Sequence, residues 1–315
     1  MHQPSLTIVI PCYNEALAIT KVIQEYKTEF PDSSIVVINN ASEDETEKLA
    51  LEAGAIVLNE CRKGKAQAMI KAFEEVQTDL MLMVDGDSSY PAKGARILLE
   101  HFLIHRSDMT TGIRKAENAN LAFRPMHQWG NNVFALFVRL VFGCKTQDIF
   151  SGLRLFSKRL YKNMPIFSYG FELEMELTVQ AIDKGFSWRE IEIPFCEREA
   201  GTSSKLNTFL DGLRILRNLV VLFRDYKPLN FFCLFSACFF FLGLGAGFPP
   251  INGYLKTGLV ERFPLAILAA ALMNLSLFTL LTGMLSQSNL RYHREAFQIR
   301  IRQYTKKNSS CQKKK

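Results

Sequence analysis

Two carboxylates separated by one glycine, Asp85-Gly86-Asp87, stand at the end of a short apolar run, Leu80 to Val84. Carboxylate oxygens are hard ligands. A pair at this spacing can share one divalent cation, Mg2+ or Mn2+, with water and substrate phosphates completing its shell. The glycine between them lets the backbone pass close to a ligand. On an ordinary loop between a strand and a helix the same residues would be a cap and a turn, so the surrounding chain has to decide.

The run before Asp85 is bounded by a Ser-Ser-Tyr-Pro turn at Ser88 to Pro91 and predicts a buried strand. Three similar runs precede it: Leu6–Ile10, stopping at Pro11; Ser34–Ile38, ending in Asn39-Asn40; and Ala55–Leu58. Helical patterns separate them. Ala18, Ile19, Val22, Ile23 and Tyr26 recur at helical spacing with Asn14 as the expected cap. A second helix opens at Ser42 with early acids, and a third covers Lys65–Val76. Strands alternating with helices predict an α/β fold with a parallel sheet. Ligands bind at the carboxyl ends of such strands. Here those ends carry Pro11-Cys12-Tyr13-Asn14-Glu15, Asn39-Asn40 and Asp85-Gly86-Asp87. Three polar clusters on one edge favour the metal reading.

The chain after Asp87 is less regular. Met109–Ile113 predicts a strand leading to Arg114 and Lys115. Met126–Phe142 reads as an apolar helix with Arg124 and Arg139 beside it. Leu153–Phe156 is a short strand after Asp148, Glu172–Ile182 a helix, and Trp188–Phe195 a strand broken by Pro194.

Charge and apolar content are unevenly spread. No charged residue occurs from Pro228 to Leu255, nor from Phe263 to Leu285. Each stretch can supply about 20 apolar residues, the length of a membrane span, and the expected spans are about 229–248 and 263–285. Phe209–Tyr226, just before them, is amphipathic and reads as a helix in the bilayer interface or, with the same periodicity, as a core-facing helix of the preceding domain. Formal net charge is +7, and nine Lys or Arg stand against one Glu from Arg291 to Lys315. Positive-inside bias places this tail, and the N-terminal domain two crossings earlier, in the cytoplasm. A basic tail beside a span is more simply an anionic-lipid contact than a nucleic-acid arm. Seven cysteines at irregular spacings carry no CxxC pair and no zinc pattern, which fits free thiols in a reducing compartment. In the first expected span, Gly243, Gly245 and Gly247 are at most a small-residue packing face.

Eight segments in order carry a resemblance. They are IPCYNE from Ile10, VINNASEDET from Val37, RKGKAQAMIKAF from Arg62 and VDGDSSYP from Val84. TGIR from Thr111, DIFSGLRLF from Asp148, GFELEMEL from Gly170 and EREAGTSSKL from Glu197 complete the set. The chain resembles the family 2 glycosyltransferases of GT-A fold, in particular the dolichyl- or polyprenyl-phosphate sugar synthase branch. The likeness covers about Leu6 to Leu206, and a two-span anchor also occurs in that family.

The resemblance implies a GT-A catalytic domain over residues 1–206. An amphipathic juxtamembrane helix (207–227), two transmembrane helices (228–288) and a basic cytoplasmic tail (289–315) follow. It implies an enzyme moving a sugar from a nucleotide sugar, UDP- or GDP-linked, to a polyprenyl phosphate at the cytoplasmic membrane face, with inversion. It places Asp85 and Asp87 as ligands of Mg2+ or Mn2+, with Asp87 also catalytic. Pro11, Tyr13, Glu15, Asn39, Asn40, Lys65, Asp85 and Arg114 fall at donor-binding positions. The family's usual pair at Asn39-Asn40 is Asp-Asp. An amide donates as well as accepts, so the base is left open. Arg124, Arg198, Ser204 and Lys205 are candidates for the acceptor phosphate, the last two on a loop after Ala200-Gly201. Asp148, the second catalytic candidate, matches the aspartate that precedes the family's TGGFR-like segment, here FSGLR, where a carboxylate could be the base toward a hydroxyl acceptor. A lipid phosphate is already an anion, so Asp148 is expected to position the acceptor more than to act as a strong base. Its plain structural role would be a cap or an ion pair with Arg154. A different acceptor (glycolipid, polysaccharide or protein) is the rival within catalysis, disfavoured by the absence of a QxxRW-like segment before the spans. A non-catalytic membrane assembly or translocation protein with a degenerate transferase domain is the rival outside it. A homo-oligomer is compatible with all of these, and nucleic acid is not an expected partner.

Overall fold

A computed structural model describes residues 4–116, 136–141, 143, 146–168, 173–196, 208–260 and 262–312. In chain order the elements are β1 (Leu6–Cys12), α1 (Ile19–Glu29), β2 (Ser34–Asn39), α2 (Thr46–Glu52), β3 (Ile56–Asn59), α3 (Lys65–Glu75), β4 (Leu80–Met83), α4 (Ala92–His105), β5 (Met109–Ala116) and β6 (Arg154–Ser157). They continue with α5 (Lys158–Tyr161), α6 (Leu173–Asp183), β7 (Trp188–Phe195), α7 (Thr208–Tyr226), α8 (Pro228–Thr257) and α9 (Phe263–Gln312). Two compact units divide the chain: Met1–Asp211 with Ile301–Lys315, and Gly212–Arg300.

In the first unit seven strands form one sheet in the order β3-β2-β1-β4-β6-β5-β7. The β1–β2, β2–β3, β1–β4 and β5–β7 pairs are parallel. The expectation of a parallel sheet needs one correction: β6 runs antiparallel to both β4 and β5. All four residues of β4 are buried, as a strand covered on both faces requires. Ile8, Ile10, Val37 and Leu82 of the sheet pack with Ile19, Ile23 and Tyr26 of α1 and Leu98 and Phe102 of α4 in the main core cluster. From β1 the chain first builds β2 and β3 on one side, then β4 on the other. That reversal opens a crevice at the strand ends, where the three polar clusters lie.

Local chemistry moves several expected boundaries. β1 does not stop at Pro11 but runs to Cys12. Val84 N donates to Val9 O, and β4 ends its pairing at Val9. Alternation puts Pro11 on that same side, so its missing N–H faces a place with no strand to serve. Pro194 likewise does not break β7, which is an edge strand. Asn14 does not cap α1, whose cap position is Ala18. Asn14 instead adopts a left-handed φ of 54°, accessible to Asn at modest cost. Nor does Ser42 open α2, which starts at Thr46.

In the second unit α8 and α9 are long and apolar enough to cross a membrane. Ser236 and Ser276 are buried, and each hydroxyl donates to the other's backbone carbonyl at 2.9 Å. Small residues let the two helices approach. A Cβ on Gly283 would lie 2.7 Å from Phe232 Cβ, and one on Gly243 3.0 Å from Met273 Sδ. Gly247 also faces α9 at Ala269, whereas Gly245 has no neighbour within 4 Å. Two of the three span glycines are therefore packing positions. Most large apolar side chains on the other helix faces, Phe241, Phe248, Phe278 and Leu285 among them, are exposed, as lipid-facing positions would be. The helix containing the second expected span does not end at Leu285 but continues to Gln312.

Candidate active site

β4 delivers Asp85, Gly86 and Asp87 to the crevice. Lys65, the first residue of α3, places its ammonium 2.5 Å from Asp85 Oδ1 and 2.5 Å from Glu174 Oε1 of α6. Burial opposes the Lys65 charge, but Asp85 and Glu174 outweigh it and hold its pKa above the ordinary lysine value. Two glycines shape this corner. A Cβ on Gly86 would meet Cys12 Sγ at 2.8 Å and Glu15 Cγ at 3.5 Å. One on Gly152 would fall 2.2 Å from Asp85 Oδ2. Asp87 is buried and accepts from Ser89 N at 3.1 Å and Ser89 Oγ at 2.5 Å.

These residues fit a divalent ion. The donors are hard oxygens, a cation already lies against Asp85, and Gly152 keeps a side chain off the other oxygen of that carboxylate. Among the described residues no three His, Cys, Asp or Glu side chains gather as a metal site. Two carboxylates leave most of the shell to water and phosphate, the usual arrangement for Mg2+.

The segment carrying Gly152 is braced from both sides. Arg154 is wholly buried. Its guanidinium donates to Ser151 O, Ile149 O and Thr178 Oγ1 at 2.8–2.9 Å. Tyr90 OH accepts from Gly152 N at 2.8 Å, and burial pushes the Tyr90 hydroxyl up to about 12. Asp148 does not pair with Arg154. Arg114 Nε and Nη2 reach its two oxygens at 2.6 and 2.7 Å, a bidentate contact. The Arg114 guanidinium also lies over the Phe195 ring at 5.6 Å. Burial works against the Arg114 charge, but Tyr90, Asp148 and Asp85 raise its pKa. Asp85, Tyr90, Arg114 and Asp148 thus form one electrostatic neighbourhood.

The donor-side loops are stitched to one another. Ser42 Oγ, Thr46 Oγ1 and Asp44 Oδ2 accept from the successive backbone N–H groups of Asn14, Glu15 and Ala16 at 2.9–3.1 Å. Asn14 Oδ1 returns a contact to Glu43 N at 2.8 Å. Tyr13 lies beneath Lys63, whose ammonium is 5.2 Å from the ring centre. Asn39 and Asn40 are buried with their amides engaged. Asn39 Nδ2 donates to Asn59 Oδ1 at 2.8 Å, and its Oδ1 accepts from Ser42 N at 3.2 Å. Asn40 Nδ2 donates to Arg62 O at 2.6 Å and Glu60 O at 3.3 Å, while its Oδ1 accepts from Gly64 N at 2.6 Å. Asn40 therefore clasps the glycine loop that leads into Lys65. Gly64 needs its φ of 128°, a region L side chains rarely enter. Glu60 completes the loop by binding the Arg62 side chain at 2.8 Å with both oxygens.

The structure thus brings Asp85, Lys65, Arg114 and Asp148 together and sets Pro11, Tyr13, Glu15, Asn39 and Asn40 on the adjoining strand ends. Arg124, Arg198, Ser204 and Lys205 lie outside the described residues. Sequence reasoning missed Glu174, Tyr90 and Glu60, and gave Arg154 the wrong partner. Glu174 and Tyr90 lie inside segments that carried the resemblance, which was their only signal. Arg154 also lies inside such a segment, but its partners, like those of Glu60, show only in three dimensions.

Residues 7–164 match the family model described as "Glycosyl transferase family 2". The chain is 29% identical to glycosyltransferase AglJ of Haloferax volcanii, over 92% of this chain and 95% of that one. It is 26% identical to a dolichyl-phosphate hexose transferase of the same organism, over 68% of this chain and 92% of that one. In fold it is similar to glucosyl-3-phosphoglycerate synthase from Mycobacterium tuberculosis in complex with Mn2+, uridine diphosphate and phosphoglyceric acid. The TM-score there is 0.56 at 18% identity, covering 71% of this chain and 78% of that one.

Proposed function

Since the chain belongs to glycosyl transferase family 2 and is a glycosyltransferase, we propose that it moves a sugar from a nucleotide sugar to a polyprenyl phosphate at the cytoplasmic membrane face, with inversion. The observation that carries the donor half is Asp85 at the sheet's switch point, with the half-buried Lys65 ammonium already on it. A divalent ion held by Asp85 and Asp87 would neutralise the charge that builds on a pyrophosphate leaving group. Asn40 and Glu60 hold the loop that aims Lys65 into the site. Arg114 fixes Asp148 with two bonds, which suits positioning better than proton abstraction. A phosphate acceptor needs no strong base, and the two fit together.

The acceptor half rests on the two long apolar helices and on the relative named for dolichyl phosphate. An acceptor that keeps its chain in the bilayer requires an enzyme that stays there. The catalytic domain is taken as 1–206, the juxtamembrane helix as 207–227, the two-helix anchor as 228–288 and the basic tail as 289–315. The nine Lys or Arg residues from Arg291 to Lys315 support a cytoplasmic location for both termini.

Calorimetry of the full chain in detergent tests the donor half. UDP or GDP is expected to bind in the presence of Mn2+, and Asp87→Ala to abolish that binding. Nucleotide binding that ignores both Mn2+ and Asp87→Ala would overturn the site assignment. Absence of any nucleotide binding would favour a degenerate, non-catalytic domain.

A further inference from the structure

Lys65 and Asp148's partner Arg114 are both half-buried cations beside Asp85, but they are held differently. Arg114 and Asp148 are committed to each other by two parallel bonds. Lys65 offers one point charge to two carboxylates, Asp85 and Glu174, at equal distance. Its side chain has a flexible four-carbon stem with rotatable donors, which suits exchange between partners. Glu174 is the more deeply buried of the two, 5% exposed against 25% for Asp85. Glu174 is thus an inner partner, and Asp85 faces the side from which a ligand arrives.

A divalent ion on Asp85 and an ammonium 2.5 Å from the same oxygen would repel each other at short range in a partly desolvated site. The ammonium must give up Asp85 when the ion enters. It need not enter water unpaired, because Glu174 already holds it. Before the ion enters, the same ammonium keeps the buried Glu174 and the half-buried Asp85 from facing each other uncompensated.

We propose that Lys65 is a built-in place-holder for the divalent cation, and that Glu174 is the positioning residue that retains Lys65 when Asp85 passes to the metal. The proposal rests on the reading of Asp85 as a metal ligand. It gives Glu174 a role in metal exchange without making it a ligand.

Mn2+ binding alone tests this, read from the free-Mn2+ electron paramagnetic resonance signal with full-length protein in detergent. Four proteins are compared: wild type, Lys65→Gln, Glu174→Gln and the double variant. Lys65→Gln keeps a hydrogen-bond donor but removes the competing charge, and is expected to bind Mn2+ about tenfold more tightly. Glu174→Gln leaves Lys65 dependent on Asp85 and is expected to bind Mn2+ more weakly, by about threefold or more. In the double variant the Glu174 effect should vanish, since no ammonium remains to be retained. Lys65→Met, with its thermal unfolding checked, repeats the first arm if the Gln variant fails to fold. Equal or weaker Mn2+ binding on loss of the Lys65 charge would overturn the proposal. So would a Glu174→Gln loss that persists undiminished in the Lys65→Gln background, which would make Glu174 act on the metal directly. Absence of Mn2+ binding in all four would overturn the metal reading of Asp85 together with it.

Discussion

At Asn40 an amide stands where the related family usually has a carboxylate, and the contacts say what the amide does. It donates to two carbonyls, Glu60 O and Arg62 O, and accepts from Gly64 N. A carboxylate could keep only the last of these. Asn40→Asp should therefore cost about 1–3 kcal/mol of stability and raise the KM for the donor, measured by denaturation and initial rates. An unchanged stability would detach Asn40 from the loop. Glu60 supplies a pH signature in the same loop. Hydrogen bonds from the Arg62 side chain, against the opposing effect of burial, lower its pKa from 4.5 to about 2. A depressed folded pKa means that the contact stabilises fully above about pH 4.5 and is lost as pH falls toward 2. The stability gap between wild type and Glu60→Gln should be constant above that window and close within it. A gap that widens on acidification would contradict the assignment.

Single elements carry the next tests. The segment before β6 reaches Asp85 through Gly152, where a Cβ would lie 2.2 Å from Oδ2. Gly152→Ala should displace Asp85 and weaken Mn2+ binding by about tenfold or more while leaving the sheet folded, read by the same Mn2+ titration with circular dichroism as the control. Between α8 and α9 the paired serines form two reciprocal bonds. Ser236→Ala and Ser276→Ala should each cost about 1 kcal/mol of helix-pair stability, because each removes one hydroxyl donor and leaves the other bond to a backbone carbonyl intact; no cost in either would mean that the helices are held by close packing alone. Much at this scale was legible in the sequence. The alternating strands and helices, the three polar strand ends and the two apolar helices follow from local pattern, and β4 is where the apolar run predicts it. What was illegible depends on partners far along the chain. The four residues of β6 say nothing of direction. Asp148 has an arginine six residues away, yet it binds Arg114 across the sheet. Asn14 looks like a cap because Asn often is one, but here the loop it ties is made by Ser42, Asp44 and Thr46. The length of α9 had a signal in the absence of Gly and Pro after Gly283, which hydropathy alone does not weigh.

At the scale of the whole molecule the chain joins a glycosyltransferase domain to a pair of apolar helices and a basic end. Each part favours the same acceptor. The domain offers a carboxylate pair suited to a cation at its switch point, the helices are long and apolar enough to reside in a bilayer, and the nine basic residues from Arg291 to Lys315 suit an anionic lipid surface. On the proposed reading, the two apolar helices keep the enzyme beside an acceptor whose chain lies in the bilayer. The central claim is therefore tested by what the sugar is attached to. Full-length protein in detergent is incubated with Mn2+, a panel of UDP- and GDP-sugars and a short polyprenyl phosphate, and the products are weighed by mass spectrometry. The account predicts a lipid of the mass of polyprenyl phosphate plus one sugar. That product should disappear with chelator and fall about a hundredfold or more in Asp87→Ala. Sugar transferred to another acceptor while the polyprenyl phosphate stays unmodified would contradict it.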